Sequence, residues 1–380
     1  MGLELADLFR EYGPAYRAKY GERMPPSHRQ VMRAIEQCRT AALGGQVYSC
    51  PDCEGVTAYS YHSCRNRHCP KCQAENAQVW LEQQIALQLP VPYFLLTFTL
   101  PASFRDVARS HQKLIYDQLF RTSAAATQAL ANDPRYVGGQ IGLVGVLQTW
   151  GRNLAYHPHV HYLVPAGGLG ADGQTWHPAR ANFLVPVKAL SKIFRAKLRA
   201  ALQKTAAVYQ LIPAKAWKQA WVVHCEPVGS GVEALKYLAP YIFRVALSNN
   251  RLLKMEAGQV TFRYQDTDSG KEKWCTLAAE EFTRSGRFLQ HVLPKGFVKV
   301  RYYGLFSPGK RKALTALRHH LGPLPPAPPA PPAPPPPPSG ADEAATPTGP
   351  LAAAQTPRCP RCGRPMQPGQ HLPATGRAPP

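Results

Sequence analysis

The sequence predicts an α+β fold: a ferredoxin-like β-α-β-β-α-β core with an antiparallel sheet, preceded by a small metal-binding module. Three observations carry this. Four apolar, β-branched or aromatic runs alternate with helical periodicity in the order strand, helix, strand, strand, helix, strand. Two Cys-x-x-Cys pairs, Cys50/Cys53 and Cys69/Cys72, stand 15 residues apart upstream of the first run. The 380-residue chain also carries 45 Lys and Arg against 23 Asp and Glu, a formal charge of +22. A surplus that large points to a polyanion, nucleic acid first.

The spacing of apolar residues predicts helices over 3–20 and 27–37, separated by Pro25 and Pro26. The start is amphipathic and unlike a signal peptide. No apolar run approaches the roughly 18 residues of a membrane span. A cytoplasmic, nucleoid-associated protein of a bacterial cell is the expectation, and in a reducing compartment the ten cysteines read as metal ligands before disulfides. A Cys-x-x-Cys knuckle supplies two thiolates, so two knuckles close a tetrahedron. On that logic Cys50, Cys53, Cys69 and Cys72 form one structural zinc site. Cys38, Cys64 and His68 remain for a second zinc, or for packing. Arg65, Arg67 and Lys71 lie among these ligands and make the module suited to phosphate contact.

Strands are predicted at 93–100, 141–150, 159–164 and 220–226, and helices at 104–130, 187–208 and 232–247. Beyond residue 250, 259–264 and 273–277 read as a hairpin and 280–291 as a short helix. Residues 293–303 form a basic strand with interleaved aromatics. Its Lys295, Lys299 and Arg301 are candidates for the nucleic-acid backbone. The organisation expected is N-terminal helices at 1–37, zinc module at 38–75, catalytic domain at 90–306, and a basic then Pro/Ala-rich disordered linker at 307–358. A tail at 359–380 follows, whose Cys359-Pro-Arg-Cys362 is half a knuckle with no second half downstream.

The chemistry concentrates in two stretches. In His157-Pro-His159-Val-His161, side chains two apart share a face of a strand, so His159 and His161 present paired imidazoles to a cation. Gln148, on the preceding strand, is the candidate third ligand, with His157 the competitor. Tyr237 and Tyr241 stand four apart in the helix after the last strand. A phenol beside a cation that stabilises phenolate can act as a nucleophile. Pro240, between them, breaks strict helical geometry.

These residues together resemble the HUH-class, two-tyrosine insertion-sequence transposases of the IS91 family. The resemblance covers residues from about 30 to 306. It rests on Cys64-Arg-Asn-Arg-His-Cys-Pro-Lys-Cys72, Thr149-Trp150-Gly151 leading to His157–His161, Tyr237-x-x-x-Tyr241, and Leu293-Pro-Lys-Gly-Phe297 with Tyr303-Gly304. It implies an HUH nuclease core in which His159 and His161 hold Mg2+ or Mn2+ and the tyrosines cut single-stranded DNA as a 5′-phosphotyrosine ester. Element ends and target would be single-stranded DNA, with no membrane partner and no small-molecule cofactor. Competing readings are a His-x-His metal hydrolase, which would want a nearby acidic ligand, and a non-catalytic zinc-finger DNA-binding protein.

Overall fold

The computed structural model describes residues 2–72, 80–231, 233, 235, 246–266, 269–283, 287–322 and 356–375. In chain order the strands begin with β1 (Gly45–Ser49), β2 (Thr57–Tyr61), β3 (Pro92–Thr99), β4 (Gly142–Trp150) and β5 (Tyr156–Pro165). A short pair follows, β6 (Gly167–Leu169) and β7 (Trp176–Pro178), and then β8 (Val223–Ser230). The last five are β9 (Leu252–Glu256), β10 (Gln259–Gln265), β11 (Glu272–Ala278), β12 (Val300–Gly304) and β13 (Gln367–Leu372). The chain divides into two compact units, one from residues 1–78, 243–292 and 336–380, the other from 79–242 and 293–335.

The second unit is built on a five-stranded sheet ordered β12-β4-β5-β3-β8, every neighbouring pair antiparallel. Helices Arg105–Ser110 and Gln112–Ala131 connect β3 to β4, and Val187–Gln203 lies between β5 and β8. Strand and helix therefore alternate as the apolar periodicity predicts, with β5 at the centre of the sheet. Even-numbered residues of β3 and β5 face the helices: Phe94, Leu96, Phe98, Val160, Tyr162 and Val164 join Phe120 and Phe194 in one core. The rings meet edge to face, Phe98 with Phe194 at 5.1 Å and with Tyr162 at 5.8 Å between centroids. Tyr162 is fully buried and donates its hydroxyl hydrogen to the Phe120 carbonyl, 2.9 Å away. Its ring needs Gly145 opposite on β4, because a Cβ there would lie 2.5 Å from it. Odd-numbered residues of β5 face the other side of the sheet, so packing of the even set fixes where His157, His159 and His161 point.

Several boundaries differ from expectation. The long helix is interrupted at His111, whose φ of −127° leaves the helical range. The third strand starts at Tyr156, so Pro158 belongs to it. The fourth runs on to Ser230. The basic strand is confined to Val300–Gly304. Within the expected linker from 307, Arg311–Leu321 is a helix that buries Leu314 and Leu317.

In the first unit, helix Leu5–Tyr20 begins with a capping box between Glu4 and Asp7. Its buried Phe9 packs edge to face on Phe288 at 5.5 Å, and Phe288 stacks on Phe282. This unit also holds two three-stranded sheets, β11-β10-β9 and β13-β1-β2. Residues 243–292 group with this unit and not with the five-stranded sheet, although the expected domain ran from 90 to 306. The tail is likewise no isolated half-knuckle, because β13 pairs antiparallel with β1.

Candidate metal centres

On β5, the central strand, the rings of His157, His159 and His161 follow one another along one face. Ring centroids are 5.2 Å apart for the first pair and 4.8 Å for the second. Gln148 on β4 stands directly opposite His159, as does Thr99 on β3, and Thr97 stands opposite His161. The His159 Nδ1 lies 2.6 Å from the His157 carbonyl. A carbonyl only accepts, so Nδ1 carries the proton and Nε2 of the neutral ring presents a lone pair. That lone pair lies 3.0 Å from Oε1 of Gln148, a second acceptor. Burial holds the His159 pKa well below the usual 6.5, so the ring is not a second donor by protonation. The Gln148 amide nitrogen, meanwhile, is buried with no hydrogen-bond partner. Two facing lone pairs beside an orphaned amide are resolved by turning the amide over or by a cation between the acceptors. The donor set therefore fits a hard or borderline divalent ion.

The His161 Nδ1 is 2.9 Å from Thr97 Oγ1, a contact of the kind that orients a ligating imidazole. Burial lowers the His161 pKa to about 4, and burial followed by the Arg105 charge lowers that of His157. The sheet thus keeps these imidazoles neutral, the form that binds metal. Tyr237 and Tyr241, the expected nucleophiles, lie outside the described residues.

The cysteines form two groups of four, each with all sulfurs within 4.8 Å of one another: Cys38, Cys64, Cys69 and Cys72, and Cys50, Cys53, Cys359 and Cys362. This corrects the expected ligand set. Cys50/Cys53 and Cys69/Cys72 do not share a centre, and His68 joins neither group. In the first group Cys38 follows helix Pro26–Gln37, and its Sγ lies 3.4 Å from that of Cys72. Cys64 Sγ is 3.6 Å from Cys72 Sγ, and the Cys64 amide donates to Cys38 Sγ. Four thiolates at ~2.3 Å from one zinc stand about 3.8 Å apart, whereas a disulfide would need ~2.05 Å. None of the ten cysteines is in a disulfide. The sulfurs therefore sit at the edge length of a zinc tetrahedron. Hydrogen bonds from Cys64 and Cys69 pull the Cys38 pKa down to about 7, while Cys64 and Cys69 are pushed up, first by their contact with Cys38. Only a cation lets all four thiols ionise together.

Among the six cations expected at DNA, Lys71, Arg301 and Lys299 make contacts within the protein. Lys71 pairs with Glu4 at 2.5 Å. Arg301 pairs with Asp117 and lies over the rings of Phe120 and Phe297. The Lys299 ammonium stands 5.1 Å from the centre of the Trp150 ring. Arg65, Arg67 and Lys295 are exposed. Arg301 thereby links β12 to the Gln112–Ala131 helix.

Two family models match the chain. Residues 8–100 match the one described as "Transposase zinc-binding domain", of IS91 type, and residues 142–313 match Y2_Tnp, "Putative transposase". Among curated proteins, "Putative transposase y4qJ" of Sinorhizobium fredii (strain NBRC 101917 / NGR234) is 42% identical over 336 residues, covering 83% of each chain. The "Transposase for insertion sequence element IS801" of Pseudomonas savastanoi pv. phaseolicola is 27% identical over 286 residues, 71% of this chain and 68% of its own. No solved structure matches. No helix among the described residues is long and apolar enough to cross a membrane.

Proposed function

The chain belongs to the IS91-type transposases with an N-terminal zinc-binding region, and from that premise we propose that it nicks and rejoins single-stranded DNA through a 5′-phosphotyrosine intermediate. In this reading residues 92–230 are an HUH core of ferredoxin-like topology, supported by the β12-β4-β5-β3-β8 order with the histidines on its central strand. The observation that carries the reading is the pair of facing acceptors, His159 Nε2 and Gln148 Oε1, beside the Thr97-oriented His161. These three side chains would hold Mg2+ or Mn2+. When bound, such an ion draws charge off a phosphate oxygen.

Tyr237 and Tyr241 are the proposed nucleophiles. A tyrosine oxygen attacks phosphorus and gives up its proton to solvent. The bond from phosphorus to the 3′-oxygen breaks, and that oxygen takes up a proton to leave a free 3′-hydroxyl. The ester retains the phosphodiester's energy, so rejoining needs no nucleotide. Two tyrosines allow a second cut before the first is resolved, as rolling-circle transfer from donor to target requires. Arg65, Arg67 and Lys295 would meet the DNA backbone. The expected site of action is the bacterial cytoplasm, at the nucleoid.

The test is incubation with single-stranded DNA from the element's ends plus Mn2+, resolved on a denaturing gel. A covalent adduct is expected from the wild type, and none from Tyr237→Phe/Tyr241→Phe. An adduct that survives in the double variant refutes the mechanism.

A further inference from the structure

We propose that Cys50, Cys53, Cys359 and Cys362 bind a second structural zinc, which clamps residues 356–375 onto the N-terminal module and makes that module a split fold. The matched zinc-binding region ends at residue 100, so half of these ligands come from outside it.

Each pair is a formed knuckle. The Cys50 amide donates to the Val56 carbonyl, and the Cys53 carbonyl accepts from Val56. In the tail the Cys359 amide donates to the Arg364 carbonyl, and the Cys359 carbonyl accepts from Gly363. Gly363 follows Cys362 at φ +74°, as Gly55 does two residues after Cys53, a backbone region that suits glycine. The Cys50 and Cys362 sulfurs are 3.6 Å apart, again near the edge of a ZnS4 tetrahedron and far beyond a disulfide. Side chains join the same halves: Arg364 pairs with Asp52 at 2.9 Å, and Gln46 donates to the Gly369 carbonyl at 2.7 Å.

What else holds the tail is too little. Five of the six residues of β13 are exposed. The buried cluster behind it consists of Cys50, Cys359 and Met366, two of them the ligands themselves. One paired position is Pro368, opposite Tyr48, which has no N–H to give the ladder. A patch this small does not order a peptide in water, and four thiols packed together without a cation repel further ionisation. Small modules with such cores are held by metal. An all-thiolate tetrahedral set is the coordination of structural zinc.

The full chain, purified reduced with zinc present, should hold two zinc per molecule by elemental analysis. Cys362→Ser and Cys64→Ser should each lower that to one. Wild type with a single zinc, iron in its place, or an unchanged count in Cys362→Ser would overturn the site. A second measurement covers a variant that fails to fold. With a protease site placed within residues 323–355 and cut, the fragment from 356 onward should co-elute with the body on gel filtration. It should separate once zinc is chelated. A fragment that elutes alone with zinc present overturns the clamp.

Discussion

The imidazoles of β5 and the two thiol clusters are both arranged for metal, but they are held in place by opposite means. His159, His161 and Gln148 stand on two interior strands of a five-stranded sheet, with Tyr162, Val160 and Phe98 packed beneath them. That geometry is set by the packing of the sheet. The sulfurs sit in turns and just past the ends of a helix and short strands, so the ion supplies much of the folding free energy. On the proposed reading, one region would bind metal because it is folded, and the other is folded because it binds zinc.

The largest expected effect separates these two cases. Stripping zinc with a strong chelator should abolish hydrogen-exchange protection over 38–72 and 356–375 while leaving β3, β4 and β5 protected. Equal loss in both regions would collapse the distinction. Next, Gln148→Ala should weaken Mn2+ binding by about 10–100-fold with the thermal transition of the sheet retained. Thr97→Val, which removes only the oxygen orienting His161, should cost about 10-fold. Calorimetric titration with Mn2+ measures both.

A third test uses protons. In the unfolded chain His161 takes a proton near pH 6.5, whereas in the fold burial lowers its pKa to about 4. The native state therefore loses stability as pH falls from about 6.5 toward 4, by on the order of 3 kcal/mol for this residue. Denaturant melts of His161→Gln should show a flatter decline over that window. The smallest effects concern the surface. Arg301→Ala should destabilise the sheet by about 1–2 kcal/mol, since its ion pair is largely shielded. Lys295→Ala should leave stability alone and lower the slope of DNA affinity against salt by about 1.

The placement of the histidines and Gln148 was legible because its causes are local. The two-residue period of a strand puts His159 and His161 on one face, and a short connection brings Gln148 opposite. The cysteine partition was not, because the ends of a spacer do not reveal which way it folds. Residues 54–68 carry Cys64 into the other cluster, and the partner of Cys50 and Cys53 is reached only after some 300 residues. The internal contacts of Arg301 were hidden for a related reason: a basic strand looks solvated until Asp117 and Phe120 of a distant helix are known to face it. The interruption at His111 has no signal in the apolar spacing either side of it.

The pairing of β13 with β1 also sets an order of events in synthesis. Roughly 320 residues separate Ser49 from Gln367, which the pairing joins. At ~5–20 residues per second, a ribosome needs about 16–60 s to make them. Throughout that interval β1 offers an open edge to any other chain nearby. A nascent polypeptide of this protein is therefore exposed to strand exchange with its neighbours on the same message until the final knuckle emerges.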